Sequence, residues 1–277
     1  MKKTILKLSI ISCCLSLCLA ACHYDKKGSS EVVKSDKFVD IGTHSLRVIL
    51  SDIPSKYTII LEAGGGNFSE VYKEIQDTLA KITGMRVMSY DRSGFGQSEL
   101  GPESFTAIDE VDALKKCLEV QGFKNNYILV GHSYGGFLNQ LFTLRYPELV
   151  KGLVLIDPMN VEFVDSFGLD NLNAVTPYFE NPTENYEKAG NRMVDNFSVI
   201  CKRLRGYELP TDIPVLLITS GNPPVPDIWR KCHEEMVMNS ENHKMIIAEG
   251  NNHDILMENP ELVLNTVIEL TKIIKKE

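Results

Sequence analysis

Positive charge is scarce in this sequence: 29 Lys and Arg face 37 Asp and Glu, for a formal net charge of −8. Nucleic-acid binding needs a basic patch to displace counterions, so the balance argues against a nucleic-acid partner. It disfavours polyanionic substrates less strongly, because a local field can oppose the net one. Cysteine is scarce after position 22, where only Cys117, Cys201 and Cys232 occur. That odd number allows at most one internal disulfide. Cys201 and Cys232 are candidate partners in an oxidising compartment, with the connectivity open; Cys117, in a helix-like run, reads as core packing. No His or Cys pair in that part has ligand-like spacing, so a zinc site is unsupported. Internal repeats and low-complexity tracts are absent. The glycine triplet Gly64-Gly65-Gly66 is not followed by Lys-Ser or Lys-Thr, and no complete G-x-G-x-x-G occurs, so a nucleotide cradle is unsupported too.

A long apolar run occurs only at the N-terminus, from Ile5 to Ala21, behind the basic start Met1-Lys2-Lys3. It is short for a spanning helix and ends in small residues, which is the pattern of an export signal. Leu19-Ala20-Ala21-Cys22 resembles the bacterial lipobox. That resemblance implies removal of residues 1–21 and lipidation of Cys22. The protein would be exported and anchored to a membrane without spanning it, at the outer membrane or the outer face of the plasma membrane. His23 stands where an aspartate is associated with inner-membrane retention, which points to the outer membrane in a two-membrane bacterium. Residues 22–36 mix Lys, Asp, Gly, Ser and Glu without apolar periodicity and read as a flexible tether.

The remaining stretch, 37–277, suits one large domain, and the sequence as a whole, 43% hydrophobic and 24% charged, is ordinary for a globular chain with a buried core. Strand-like runs at Phe38–Ile41 and Ser45–Leu50 flank a turn at Gly42. Others follow at Thr58–Leu61, Arg86–Ser89, Tyr127–Val130, Gly152–Ile156, Val215–Ile218 and Met245–Ile247, mostly separated by helical patterns. Such alternation predicts an α/β fold with a mainly parallel sheet covered on both faces. Residues 158–210 are too long for an ordinary crossover and predict an inserted cap over the site.

Gly131-His132-Ser133-Tyr134-Gly135-Gly136 sits between the run Tyr127–Val130 and a helix-like segment. A strand-turn-helix junction this sharp strains the apical residue and leaves no room for side chains two positions before and after it, a requirement Gly131 and Gly135 meet. Ser133 is therefore the candidate nucleophile. A serine needs a histidine base oriented by a carboxylate. Among six histidines, His253 follows the last strand across Glu249-Gly250-Asn251-Asn252, where a strand end meets the sheet crevice. Two acids fit the order Ser, Asp, His. Asp157, at the end of its strand and fixed by Pro158, is favoured over Asp227, which also reads as a helix cap. Oxyanion donors are expected from the backbone N–H of Tyr134, at a helix N-terminus, and from Gly65 in the triplet.

These parts resemble the α/β-hydrolase superfamily, in its single-domain esterase-like members. Tyr90-Asp91-Arg92-Ser93-Gly94-Phe95-Gly96-Gln97-Ser98 looks like that family's turn after the fourth strand, to which a structural role is assigned, and Gly250-Asn251-Asn252-His253 resembles its histidine loop. Glu62-Ala63 departs from the His-Gly often found before the oxyanion glycine. The resemblance implies an eight-stranded, mostly parallel sheet with flanking helices. It further implies a Ser133-His253-Asp157 triad working through an acyl-serine on a small acyl substrate, without cofactor or metal. A serine at the elbow disfavours dehalogenase and epoxide-hydrolase chemistry. A carboxylesterase is the first expectation. A proline-iminopeptidase-like peptidase is the alternative and would need an acidic pocket, with Glu62, Glu162, Glu180 and Glu184 as candidates. A non-catalytic binding protein is a third reading. Oligomeric state is not legible.

Overall fold

The computed structural model describes residues 32–223 and 225–276. Eight strands alternate with helices: β1 (Val33–Asp40), β2 (Ser45–Asp52), β3 (Thr58–Glu62), α1 (Gln76–Thr83), β4 (Arg86–Tyr90), α2 (Ala107–Val120), β5 (Tyr127–His132), α3 (Tyr134–Arg145) and β6 (Val150–Ile156). Three helices follow, α4 (Val161–Phe167), α5 (Leu169–Val175) and α6 (Asn185–Leu204), then β7 (Val215–Ser220), α7 (Pro226–Val237), β8 (His243–Ala248), α8 (Ile255–Glu258) and α9 (Pro260–Ile274). The sheet order is β1-β2-β4-β3-β5-β6-β7-β8. The β1-β2 and β2-β4 pairs are antiparallel and the other five parallel.

The two-residue period of the strands sorts their side chains into two cores. Ile60, Met88, Leu129, Leu155 and Leu217 pack on the face covered by α2, α3, α6 and α7. Ile59, Val87, Ile128, Val154 and Leu216 pack on the face covered by α1 and α9. With both faces buried, β3, β5 and β7 have no exposed residue at all, which is why their sequences are nearly continuous apolar runs. From β3 the chain steps to β4 on one side and then to β5 on the other. The loops leaving β3 and β5 therefore diverge and open a crevice at the strands' carboxyl ends.

One boundary differs from the sequence reading. The first described strand begins at Val33, inside the stretch read as tether, because Val33 to Asp36 pair in register with Asp52 to Ile49. This end of β1 is an edge strand, and its charges hide it: Lys34 pairs with Asp77, and Arg47 grips Asp36 bidentately at 2.9 and 2.7 Å. Charged residues are a common way to blunt a sheet edge, and they erase the apolar alternation that would reveal a strand. The export signal 1–21, Cys22 and residues 23–31 of the expected tether lie outside the described residues. Cys117, Cys201 and Cys232 are free, buried thiols with no bond between Cys201 and Cys232. Burial pushes Cys117 up to about 12 and the other two up to about 11, so they are inert packing groups.

Candidate active site

Ser133 joins β5 to α3 with φ 52° and ψ −117°, a conformation L-residues rarely adopt. The surroundings enforce it. Its N–H donates to Ile156 O at 3.0 Å, and its own carbonyl accepts from Phe137 and Met159, each at 3.1 Å. A Cβ on Gly131 would lie 2.7 Å from Gly135 O, and one on Gly135 would lie 2.5 Å from both Glu62 O and Ala63 O. The two glycines let β3, β5 and α3 close around the serine, and no other residue type fits there.

His253 lies in the loop after β8. Its Nε2 is 2.8 Å from Ser133 Oγ and its Nδ1 2.6 Å from Asp157 Oδ2. The loop is held by Glu258, which accepts from the Asn252 N–H at 2.8 Å. Asp157 follows β6 directly, fully buried, at φ 44°. Its second oxygen accepts from the Ser220 N–H at 2.7 Å and from Trp229 Nε1–H at 2.8 Å. Burial pushes this carboxyl up, but the hydrogen bond and charge of His253 and the Trp229 hydrogen bond outweigh it. The net shift is below the ordinary carboxylate value, so Asp157 stays ionised. Asp227, by contrast, is exposed in the first turn of α7, where it faces the helix dipole and makes no contact with His253.

Two further histidines brace the pair. His132 Nε2–H donates to the His253 carbonyl at 2.9 Å, and burial pulls its pKa down to about 4, so it is neutral. His233, wholly buried, donates from Nε2 to Pro158 O and accepts at Nδ1 from Thr219 Oγ1, both at 2.8 Å. Burial likewise lowers its pKa. It fixes the turn that aims Asp157. Trp229 and His233 escaped the sequence reading. Their positions on α7 carry no motif, and only the packing of α7 on β7 brings them to Asp157.

Tyr134 is the first residue of α3, so its N–H lacks an intrahelical partner and lies at the positive end of the helix. Gly65, from the loop after β3, lines the same cavity as Ser133, Tyr134 and His253. This cavity has a volume of about 550 Å³. Phe163, Phe167, Leu172, Met193 and Phe197 of the segment 158–210 wall it, together with Trp229. No Asp, Glu, Lys or Arg among the described residues lines it. The four expected acids lie elsewhere. Glu62 is 1% exposed and bound to Arg92 at 2.8 Å and to the Tyr90 hydroxyl. Glu162, Glu180 and Glu184 are exposed to solvent.

The turn Tyr90–Ser98 builds the rear wall. Asp91 Oδ1 accepts from the Ser69 N–H at 3.0 Å and Oδ2 from the Gln97 N–H at 2.9 Å. Behind Tyr134, Glu110 is buried and its carboxyl pushed up to about 7 by burial, which the Arg92 charge only partly offsets. The Tyr134 hydroxyl donates to it at 3.4 Å.

A family model described as the alpha/beta hydrolase fold matches residues 57–175, from β3 through the elbow to α5. The haloalkane dehalogenase DatA of Agrobacterium tumefaciens superposes with a TM-score of 0.65 at 16% identity, over 87% of this chain and 97% of that one. The chain has the α/β-hydrolase fold. At such identity the likeness concerns the fold alone. In sequence, the uncharacterized protein YqjL of Bacillus subtilis is 25% identical over 219 residues, 76% of this chain and 81% of that one. A proline iminopeptidase of Chitinophaga pinensis is 30% identical over 105 residues, 36% of this chain but only 34% of its own length.

Proposed function

We propose that this protein is a serine hydrolase that cleaves small carboxylic esters with uncharged, apolar arms through an acyl-serine intermediate. The observation that carries the reading is the chain Ser133 Oγ, His253, Asp157, linked at 2.8 and 2.6 Å on a strained elbow that opens into an apolar cavity. Ser133 Oγ attacks the ester carbonyl while His253 Nε2 takes its proton, and the carbonyl oxygen becomes an oxyanion. The N–H groups of Tyr134 and Gly65 are assigned to that oxyanion, each such donor contributing on the order of 3 kcal/mol to the transition state. As the intermediate collapses, the alcohol leaves with the Nε2 proton. Water then enters, gives a proton to Nε2 and attacks the acyl carbon. The acid departs and the proton returns to Oγ. Asp157 holds the imidazole tautomer and stabilises its protonated state, for which its own ionised state is suited.

The segment 158–210 is assigned as the cap that selects substrate, since its aromatic and aliphatic side chains form most of the cavity wall. The local likeness to proline iminopeptidases favours a peptidase as the second reading. Against it stands the lining: a substrate ammonium group would find no carboxylate there, and burying it unpaired costs several kcal/mol. Export and lipid attachment at Cys22 complete the reading. Fluorophosphonate labelling of the protein and of Ser133→Ala, followed by p-nitrophenyl esters and prolyl p-nitroanilide, tests it. Labelling that is lost in the variant, with ester turnover, is expected; preferential release of p-nitroaniline selects the peptidase. A folded protein that neither labels nor turns over either substrate is a binder, and the proposal fails.

A further inference from the structure

The turn after β4 does more than build a wall. Arg92, 2% exposed, sends its guanidinium into the loop that follows β3. Nη1 donates to Ala63 O at 2.5 Å and to Glu62 Oε1 at 2.8 Å; Nη2 donates to Gly64 O at 2.7 Å and to Asn67 O at 3.4 Å. One planar fork thus gathers three carbonyls of a single loop. Its charge is matched by the residue that opens that loop, Glu62, which in turn accepts from the Tyr90 hydroxyl.

The consequence follows from peptide geometry. The unit between Gly64 and Gly65 is planar and trans, so its N–H points opposite to its C=O. With Gly64 O fixed on Arg92 Nη2, the Gly65 N–H is turned away from the guanidinium, and Gly65 itself lines the cavity beside Ser133. A peptide between two glycines has little intrinsic preference for one orientation, since neither flank carries a Cβ to restrict it. Within the loop, Gly64 O accepts only the Asn67 N–H, at 3.2 Å, and the shorter, charged bond from Arg92 adds an external clamp on its direction. We propose that Arg92 is a positioning residue for the oxyanion donor, with Glu62 as its built-in counter-ion. This rests on the serine-hydrolase reading above and on the role of Gly65 in it. It also accounts for Glu62 standing where a His-Gly is often found: this chain orients its oxyanion loop from behind with an ion pair.

Removing the guanidinium alone would strand the Glu62 charge in the interior, so the informative variant is the double Arg92→Met/Glu62→Gln, with Arg92→Lys as its conservative companion. Each is compared with the wild-type protein in p-nitrophenyl ester hydrolysis and in inhibition by a trifluoromethyl ketone, whose hemiketal with Ser133 uses the same donors. Expected for the double variant is a loss of about 10²- to 10³-fold in kcat with KM little changed, and a comparable weakening of the ketone, as for loss of one oxyanion donor. Arg92→Lys falls between, having one point charge for three carbonyls. A folded double variant that keeps kcat and ketone affinity within about tenfold of wild type overturns the proposal. If the double variant does not fold, Arg92→Lys decides: lowered kcat and ketone affinity at unchanged KM support the clamp, and wild-type values overturn it. Wild-type protein that neither labels nor hydrolyses esters overturns the serine-hydrolase reading and this inference with it, which separates that failure from a failure of Arg92 alone.

Discussion

At the scale of single residues, the arrangement separates two carboxylates that sequence order alone left as rivals. Asp157 is buried, ionised and bonded to His253, Ser220 and Trp229, whereas Asp227 is solvent-exposed on α7. Asp157→Asn should therefore lower kcat by about 10⁴, the scale of losing the carboxylate that sets the histidine tautomer, while Asp227→Asn stays near wild type. Steady-state kinetics on both variants checks this; equal losses would remove Asp157 from the triad. Glu110 supports a second prediction. Its carboxyl is raised from 4.5 to about 7 by burial, so between those values the folded protein holds a proton that the unfolded chain releases. Stability contributed by that proton is present below about 4.5 and is lost as pH rises through about 7, on the order of 3 kcal/mol in all. Denaturant titrations across this range should show the slope in wild type and a flatter profile in Glu110→Gln.

At the scale of elements, the elbow depends on close approach of β3, β5 and α3. Gly135→Ala puts a methyl 2.5 Å from two backbone carbonyls that cannot rotate away, so the strand end or the helix must shift. A stability loss of about 1–3 kcal/mol and displacement of Ser133 from His253 should follow, read as a lowered melting midpoint and slowed fluorophosphonate labelling. Wild-type labelling in that variant would show the elbow to be more yielding than its packing suggests. The elbow was legible because its constraint is local: a serine with glycines two residues either side, between an apolar strand and a helix. The central strands were legible for a similar reason, being buried on both faces. The first residues of β1 were not, because an edge strand with Lys34, Asp36 and Lys37 has no apolar alternation to read. Neither were Arg92, Trp229 and His233 as parts of the site, since each acts on a loop or acid from 28 to 75 positions away. Such contacts are set by the sheet order, and no spacing rule in one chain reports them.

At the scale of the whole molecule, the start of β1 bears on how the domain would sit if Cys22 carries lipid. Only residues 23–32 separate that cysteine from Val33, so the chain between them reaches at most ~40 Å even when fully extended. A domain held that near a bilayer would meet substrates that partition into or leave the membrane, and an uncharged, apolar cavity is suited to such molecules. The anchor and the cavity can be separated by experiment, because the residues assigned to catalysis, from Gly65 to His253, all lie far from Cys22 in the sequence. In the native host, Cys22→Ser should move the protein from the membrane fraction to the soluble one while the kcat of the purified domain on soluble esters stays unchanged. Its turnover of a vesicle-borne ester should fall relative to the anchored form, since confinement near the bilayer supplies effective concentration rather than catalytic power. Wild-type protein recovered in the soluble fraction would overturn the anchor, and equal turnover of vesicle-borne ester by both forms would show that proximity to the membrane does not serve this cavity.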